Sequence, residues 1–178
     1  MIAENPGTVF LFEDECSVSS IPTVRWVWAP KGRQPKILTY SSERRRQTIF
    51  SSVETSGRLC TLIADKGDSE AFIVYLKEVR KQYPEKKIVM VLDDVSFHKS
   101  GKVKDYLESE DPVIDLLHLP PYAPDLNPQE WVFKDFRRCV THNHRFKTFE
   151  ALSKAVDRFF RQAATPNLLN YALVNGAM

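Results

Sequence analysis

The first third of the chain alternates short apolar runs with turn-forming residues. The runs occupy residues 9–12, 24–28, 47–53 and 59–64, and together they are rich in β-branched and aromatic side chains. Proline and glycine follow the second run, and a Ser-Gly pair separates the last two. Strands bounded by such residues are typical of hairpins. The pattern predicts an antiparallel meander of three or four strands.

Beyond residue 68 the apolar residues follow a helical period. In residues 72–83 they recur at i, i+3, i+4, i+7 and i+11, which is the spacing of one helix face. Asp68 or Ser69 can cap this helix, and Pro84 follows its end. The rest of the chain predicts a buried strand at 88–92, a short helix at 103–107, a strand at 113–119, a helix from about Asn127 and an amphipathic helix at about 149–161.

This order of elements predicts an α/β fold. An antiparallel meander that feeds into helices and further strands implies one mixed sheet with helices on both faces. The ribonuclease H-like fold has this order of elements. With 178 residues, the chain suits one domain with a sizeable core, and we expect residues 1–178 to form it.

Composition excludes several classes of protein. Hydrophobic residues make up 43% and charged residues 27%, unlike disordered or collagen-like chains. The apolar runs are too short to span a bilayer, and no signal peptide is evident. Cys16, Cys60 and Cys139 are odd in number and far apart, which indicates reduced intracellular thiols. We therefore expect a cytoplasmic protein without a membrane partner.

The charges are unevenly distributed. The net charge of +2 is too small to indicate a nucleic-acid partner by itself. Residues 133–178 carry eight basic and three acidic residues, whereas residues 1–132 carry seventeen basic and twenty acidic. This asymmetry suits a domain whose acidic part binds metal while its basic C-terminal segment contacts a polyanion. The alternative is that the charged residues only form the solvent-exposed faces of helices.

Three acidic residues lie where predicted elements end or begin. Asp14 follows the first apolar run, Asp93 ends the buried strand, and Glu130 lies in the first turn of a predicted helix. Each has an ordinary explanation: a strand-end acid, a turn residue, or a helix-capping arrangement with Asn127 and Pro128. Together they indicate chemistry, because two hard cations about 3.5–4 Å apart can drive phosphodiester cleavage and need only a few carboxylate ligands.

Three sequence blocks carry a family resemblance. The first is FLFEDECSVS, followed by WVWAPKGRQP; the second is VMVLDDVSFHKS; the third, at residues 119–137, is LPPYAPDLNPQEWVFKDFR. They resemble, respectively, the Asp-Glu strand, the Asp-Asn-x-x-x-His strand end and the Asn-Pro-x-Glu signature of DDE transposase catalytic domains of the Tc/mariner superfamily, in its bacterial insertion-sequence branch. The resemblance covers roughly residues 9–160.

The resemblance implies a set of roles. The family's catalytic and metal-binding acids fall on Asp14, Asp93 and Glu130, with 36 residues between the last two. His98 matches a family histidine, whereas Asp94 stands where the family more often has asparagine, and its role is open. The resemblance further implies a ribonuclease H-like fold, two Mg²⁺ or Mn²⁺ ions, cleavage at transposon ends and joining of the freed 3′-OH to target DNA, by a homodimer in the nucleoid.

One family feature is not found in the sequence. Such transposases carry an N-terminal helix-turn-helix domain, but the first predicted strand begins about nine residues into this chain. We therefore expect a single catalytic domain that works with a separate helix-turn-helix subunit or with a frameshift-fused one. Two rival functions stay open: a truncated or domesticated remnant that only binds DNA or dimerises, and a stand-alone ribonuclease H-like nuclease.

Basic residues near the predicted acids are candidates for DNA contact. They are Arg44, Arg45, Arg46, His98, Lys99, Lys102, Arg137 and Arg138. The tripeptide His-Asn-His at residues 142–144 joins two predicted helices, and we interpret it as a loop rather than a nuclease motif. The tryptophans Trp26, Trp28 and Trp131 are expected in the core rather than as base-stacking platforms.

Overall fold

The computed structural model describes residues 7–37, 45–111, 113–120 and 124–163. The strands are β1 (Thr8–Ser19), β2 (Arg46–Glu54), β3 (Leu59–Ala64), β4 (Lys87–Leu92) and β5 (Ile114–His118). The α-helices are α1 (Ser69–Gln82), α2 (Gly101–Ser109), α3 (Pro128–Phe136) and α4 (Phe149–Ala163), with short 3₁₀ turns at Ser96–Lys99 and Pro124–Leu126 and a π turn at Arg137–Thr141. The predicted helices and five of the six predicted strand runs are therefore confirmed.

The strands form one mixed sheet in the order β3-β2-β1-β4-β5. β1 pairs antiparallel with β2, and β2 with β3, so the meander is present. β4 pairs parallel with both β1 and β5. The α/β fold with an antiparallel meander followed by parallel strands is confirmed. Because β1 and β4 are parallel neighbours, their carboxyl ends meet at the same edge of the sheet.

Helices cover both faces of the sheet, as predicted. One core cluster packs α1 and α2 against residues such as Val9, Leu11 and Ile88. The other packs α3 and α4 against residues such as Cys16 and Val18. Along β1, odd positions therefore face α1 and even positions face α3, which follows from the two-residue period of a strand.

Side chains fix where two helices begin. The Asp68 carboxylate accepts a hydrogen bond from the backbone N–H of Ala71 at 3.0 Å and caps α1. Asn127 caps α3 in the same way, with Pro128 as the first helical residue. Both residues were predicted at these positions, because short polar side chains satisfy free N–H groups at a helix start.

The predicted strand at residues 24–28 is absent, and the prediction of buried tryptophans is wrong for two of the three. Residues 20–37 run outside the sheet, with one bridge from Thr23 to His142. Trp26 and Trp28 are fully exposed. Trp131 is partly buried, with the Lys134 ammonium 4.3 Å from its ring centre. Prolines flank the exposed segment, and proline cannot donate the hydrogen bonds that a new strand would need.

The described helices are all too short or too polar to cross a membrane. The three cysteines are free, with Cys16 and Cys60 buried and Cys139 exposed. Residues 142–144 lie between α3 and α4 without helix or strand pairing beyond the single bridge at His142. This agrees with their interpretation as a loop.

Candidate active site

The pairing of β1 with β4 brings two of the predicted acids together. The last pair of the parallel ladder joins Phe12 to Val91. Asp14 and Asp93 each lie two residues beyond that pair, on neighbouring strands. Ligand oxygens of Asp14, Glu15 and Asp93 lie within 4.8 Å of one another. Three carboxylates thus lie just beyond the end of the parallel pairing between β1 and β4, at the carboxyl end of β4, where open α/β sheets form their sites.

The carboxylate of Asp93 has one oxygen without a partner. Its Oδ1 atom is buried and accepts no hydrogen bond from the described residues. The nearest ring nitrogen, Nδ1 of His98, is 3.7 Å away. A buried carboxylate oxygen without a donor is costly. An all-oxygen cluster with such an atom fits a hard divalent cation such as Mg²⁺ or Mn²⁺, which prefers oxygen ligands.

The acids also perturb one another's protonation. The pKa of Asp14 is raised from its ordinary 3.8 to about 8, chiefly by burial and then by the charge of Glu130. Glu15 and Asp93 raise it further, while a hydrogen bond from the backbone N–H of Glu15 opposes the shift. A cation would favour the ionised form of such a cluster.

Glu130 reaches the site through its helix. It lies in the first turn of α3, outside the tight group of Asp14, Glu15 and Asp93, and its charge acts on Asp14. Because even residues of β1 face α3, Asp14 and Glu130 lie on the same side of the sheet. The three predicted acids thus converge from the middle of β1, the end of β4 and the start of α3.

One side chain docks that helix onto β1. The Oδ1 atom of Asn127 accepts from the backbone N–H of Gln129 at 3.1 Å, and its Nδ2 donates to the backbone carbonyl of Glu13 at 2.7 Å. Asn127 is 3% exposed. It therefore both begins α3 and fixes α3 to the strand segment that carries Asp14.

A second cluster, which shares Glu15 with the cluster of Asp14, Glu15 and Asp93, lies deeper in the fold. Ligand atoms of Glu13, Glu15 and His98 lie within 4.8 Å of one another. Glu13 is completely buried, and neither of its carboxylate oxygens has a hydrogen-bond partner among the described residues. Burial, followed by the charges of Glu15, Asp14 and Asp93, raises its pKa. The sequence analysis did not single out Glu13 or Glu15, although the strand period places both on the face of Leu11.

The burial of His98 corrects its prediction as a DNA contact. It is 1% exposed and packs against the rings of Phe72 and Phe97, whose centroids are each 4.4 Å from its own. Its Nε2 atom is 2.7 Å from Oε1 of Glu15. A side chain enclosed in this way cannot contact a DNA phosphate. His98 instead interacts with the acidic residues of the site.

Several predicted basic contacts are held in ion pairs. Arg45 pairs with Glu150, Lys99 with Asp94, Lys102 with Glu70, and Arg138 with Asp135. The side chains of these residues are largely exposed, and exposed pairs of this kind are weak. The pairing also gives Asp94 a structural partner: the hydrogen bond from Lys99 lowers the pKa of Asp94. Arg44 lies outside the described residues.

Two predicted arginines line a basic groove. Arg46 and Arg137 border a cavity of about 320 Å³ together with Arg25, His142 and His144. None of its described lining residues is acidic. Arg137 also borders a neighbouring cavity of about 300 Å³ that contains Glu130 and Lys134. Arg25 and Lys134 were not among the predicted site residues, and His142 and His144 were interpreted only as part of a loop. These residues come together with Arg46 and Arg137 around the two cavities only in the fold.

A mixed sheet with carboxylates gathered where the parallel pairing of β1 and β4 ends defines a ribonuclease H-like domain with an acidic site whose oxygens suit a divalent cation. The family model described as DDE superfamily endonuclease matches residues 9–153. The chain belongs to this family of endonucleases. Among curated proteins, none matches the chain.

Solved structures support the same fold. The Mos1 mariner paired-end complex with Mn is similar with a TM-score of 0.62 and 16% identity, over 96% of this chain and 55% of that one. The Mos1 paired-end complex with the left transposon end has a TM-score of 0.61 and 15% identity, over 98% and 56%. The Mos1 catalytic domain gives 0.55 and 15%, over 96% and 82%. This chain thus spans about half the length of the Mos1 chains in the complexes.

Proposed function

We propose that this chain is the catalytic domain of a DNA transposase. It would cleave phosphodiesters at transposon ends and join the freed 3′-OH to target DNA. The observation that carries the proposal is the convergence of Asp14, Asp93 and Glu130 at one end of the sheet in a DDE endonuclease domain. The sequence blocks around these acids also support a place in the bacterial insertion-sequence branch.

The cofactor in this proposal is a pair of Mg²⁺ or Mn²⁺ ions. Asp14 and Asp93 would hold them, with Glu130 completing the ligand set; the buried, unpartnered Oδ1 of Asp93 supports this assignment. Mos1 complexes are described with Mn and with Mg. Such ions, when bound, activate an attacking oxygen and stabilise the charge on the attacking and leaving oxygens.

The side chains of this chain prepare the site for that chemistry. Asp14 lies within β1 and Asp93 directly follows β4, so the sheet holds both ligands in place and they lose little freedom on binding. Asn127 holds the start of α3 against β1, which keeps Glu130 beside Asp14. Glu13 lies behind the site without access to solvent, where burial and the neighbouring acids raise its pKa.

The basic groove supports a path for the DNA backbone. Arg25, Arg46 and Arg137 provide positive charge, and Arg137 also borders the cavity of Glu130. A DNA strand whose backbone phosphates contact these arginines would run toward Asp14, Asp93 and Glu130. Contacts of this kind position DNA without reading its sequence.

Replacing Arg137 with glutamine tests this path. We expect DNA affinity at moderate salt to fall about three- to tenfold, with a salt slope reduced by roughly one phosphate contact. Arg138→Gln is the matched control, because Arg138 lies outside the groove and pairs with Asp135 at 2.9 Å. Fluorescence anisotropy at several salt concentrations measures both variants. Equal losses for the two would exclude the groove as the DNA path.

The proposal includes partners. A homodimer would bring two transposon ends together, and a helix-turn-helix domain, on a separate subunit or fused by frameshifting, would select those ends. The fully exposed Trp26 and Trp28 support an assembly, because large apolar side chains in a cluster mark interaction surfaces. A protein with these partners would work in the cytoplasm at the nucleoid.

The test uses DNA carrying the terminal repeats that flank the reading frame, compared with DNA that lacks them. With Mn²⁺ we expect cleavage confined to the repeats, transfer of a pre-cut 3′-OH end into plasmid, and a dimer on paired ends by light scattering. EDTA should stop both reactions. Cleavage that ignores the repeats and joins no ends would indicate a stand-alone nuclease. DNA binding without cleavage in any divalent metal would indicate a remnant.

A further inference from the structure

The backbone pairing of β1 with β4 stops short of the two proposed catalytic aspartates. The hydrogen-bonded ladder between β1 and β4 ends at Phe12 and Val91, two residues before Asp14 and Asp93. Beyond that point β1 continues to Ser19, paired only with β2, whereas β4 ends at Leu92. The ladder brings the two aspartates near each other, and the separation of their carboxylates then also depends on side-chain contacts beyond its end.

His98 spans this gap. Its Nε2 atom is 2.7 Å from Oε1 of Glu15 on β1. Its Nδ1 atom is 3.4 Å from the backbone carbonyl oxygen of Asp93 at the end of β4. The ring therefore contacts both strands at the level of the acids.

The ring is held rigidly where it bridges. The His98 side chain has no exposure, and the rings of Phe72 on α1 and Phe97 enclose it. Close packing around a buried ring leaves it little room to reorient, so its polar contacts can hold the two strands in a set position.

The carbonyl of Asp93 is also held from its other side. Nδ1 of His118, on β5, lies 3.1 Å from that oxygen. His118 thus fixes Asp93 relative to β5, but it makes no contact with Glu15 among those described. Of the two histidines on this carbonyl, His98 is the one that connects it to β1.

We propose that His98 is a positioning residue that ties the end of β4 to Glu15 of β1 and so sets the separation of the Asp14 and Asp93 carboxylates. The proposal rests on the metal-binding function proposed for the site. Outer residues that orient metal ligands change metal affinity about 10- to 100-fold when they are replaced. Loss of the bridge should therefore weaken divalent-cation binding more than it weakens the fold.

The experiment compares three replacements at position 98. His98→Leu fills the space without hydrogen bonds. His98→Asn is too short to reach Glu15 but retains a donor near the Asp93 carbonyl, whereas His98→Gln extends to Glu15. Phe97→Leu is the control for packing, because Phe97 contacts the His98 ring without a polar contact of its side chain to the acids among those described. Each purified full chain is titrated with Mn²⁺ and followed by electron paramagnetic resonance, and thermal unfolding is measured without metal.

We expect His98→Leu and His98→Asn to weaken Mn²⁺ binding about tenfold or more, and His98→Gln to recover most of the loss. Phe97→Leu should lower the unfolding temperature with little change in Mn²⁺ affinity. Wild-type affinity in His98→Asn, or equal affinity in the Asn and Gln variants, would overturn the bridge. If His98→Leu does not fold, the Asn and Gln pair decides alone.

The two proposals fail in different ways. If the wild-type chain binds no Mn²⁺, the proposed metal function is wrong. If the wild type binds Mn²⁺ and the His98 variants bind it equally well, only the positioning role is wrong. If Phe97→Leu weakens binding as much as His98→Leu, general packing explains the effect and the positioning role is also wrong.

Discussion

Asp93→Asn is expected to lower Mn²⁺-dependent DNA cleavage by at least about a thousandfold while the chain stays folded. Asparagine keeps the size of the side chain but removes the charge that a cation needs. Asp93 is also a source of repulsion in the metal-free site, where its charge raises the pKa values of Glu13 and Asp14. The metal-free variant should therefore unfold at a temperature no lower than that of the wild type. Single-turnover cleavage and thermal unfolding measure the two effects.

The neighbouring residue provides a matched control. Asp94 has the same side chain one position later and a similar exposure, but it pairs with Lys99 and lies outside the cluster of Asp14, Glu15 and Asp93. Asp94→Asn should change cleavage by no more than a few-fold, because a surface ion pair contributes little. Cleavage that survives in Asp93→Asn, or that is lost equally in both variants, would contradict the assignment of Asp93 as a ligand.

The second large effect concerns stability and pH. In the absence of divalent cations, the free energy of unfolding should fall as the pH rises from about 4 to about 8. The pKa of Asp14 is raised from 3.8 to about 8 in the folded chain. Between these values the folded state retains a proton that the unfolded state has lost, so rising pH favours unfolding. Glu13, whose pKa is also raised, acts in the same direction. The total loss is on the order of several kcal/mol.

Urea unfolding in EDTA at pH 5, 6, 7 and 8 measures this slope. Asp14→Asn should flatten it, while Asp94→Asn should leave it unchanged, since the pKa of Asp94 is lowered rather than raised. Mg²⁺ should restore stability most strongly near pH 8, because it binds the ionised carboxylates. A slope that is flat, or that rises with pH in EDTA, would show that these acids do not carry raised pKa values.

The elements that sequence could predict are those set by local rules. The helix α1 follows from the recurrence of Phe72, Tyr75 and Val79, because only one face of α1 packs on the sheet. The start of α3 follows from Asn127 and Pro128, whose chemistry suits the first turn of a helix. Asp93 was identifiable because a continuous apolar run before it indicates a central strand.

Other features depend on partners that the sequence does not specify. Residues 24–28 have the composition of a strand, but a strand forms only beside a hydrogen-bonding neighbour, and the sheet has none for them in the described chain. Glu13 looks like an ordinary surface acid, yet the two-residue period of β1 carries it under α1. The burial of His98 could not be predicted from its neighbours in sequence, because it depends on packing against Phe72, which is 26 residues away in the chain.

The double role of Asn127 has a consequence for how the chain tolerates change. The side-chain amide of Asn127 both begins α3 and attaches it to β1. The position of Glu130 is therefore set by this attachment of α3 rather than by the length of the connection that precedes the helix. Residues inserted between Leu119 and Asp125 would lengthen that connection without displacing the third acid. The number of residues between Asp93 and Glu130 can therefore change without loss of the site, whereas Asn127 and Pro128 at the start of α3 cannot be replaced in the same way.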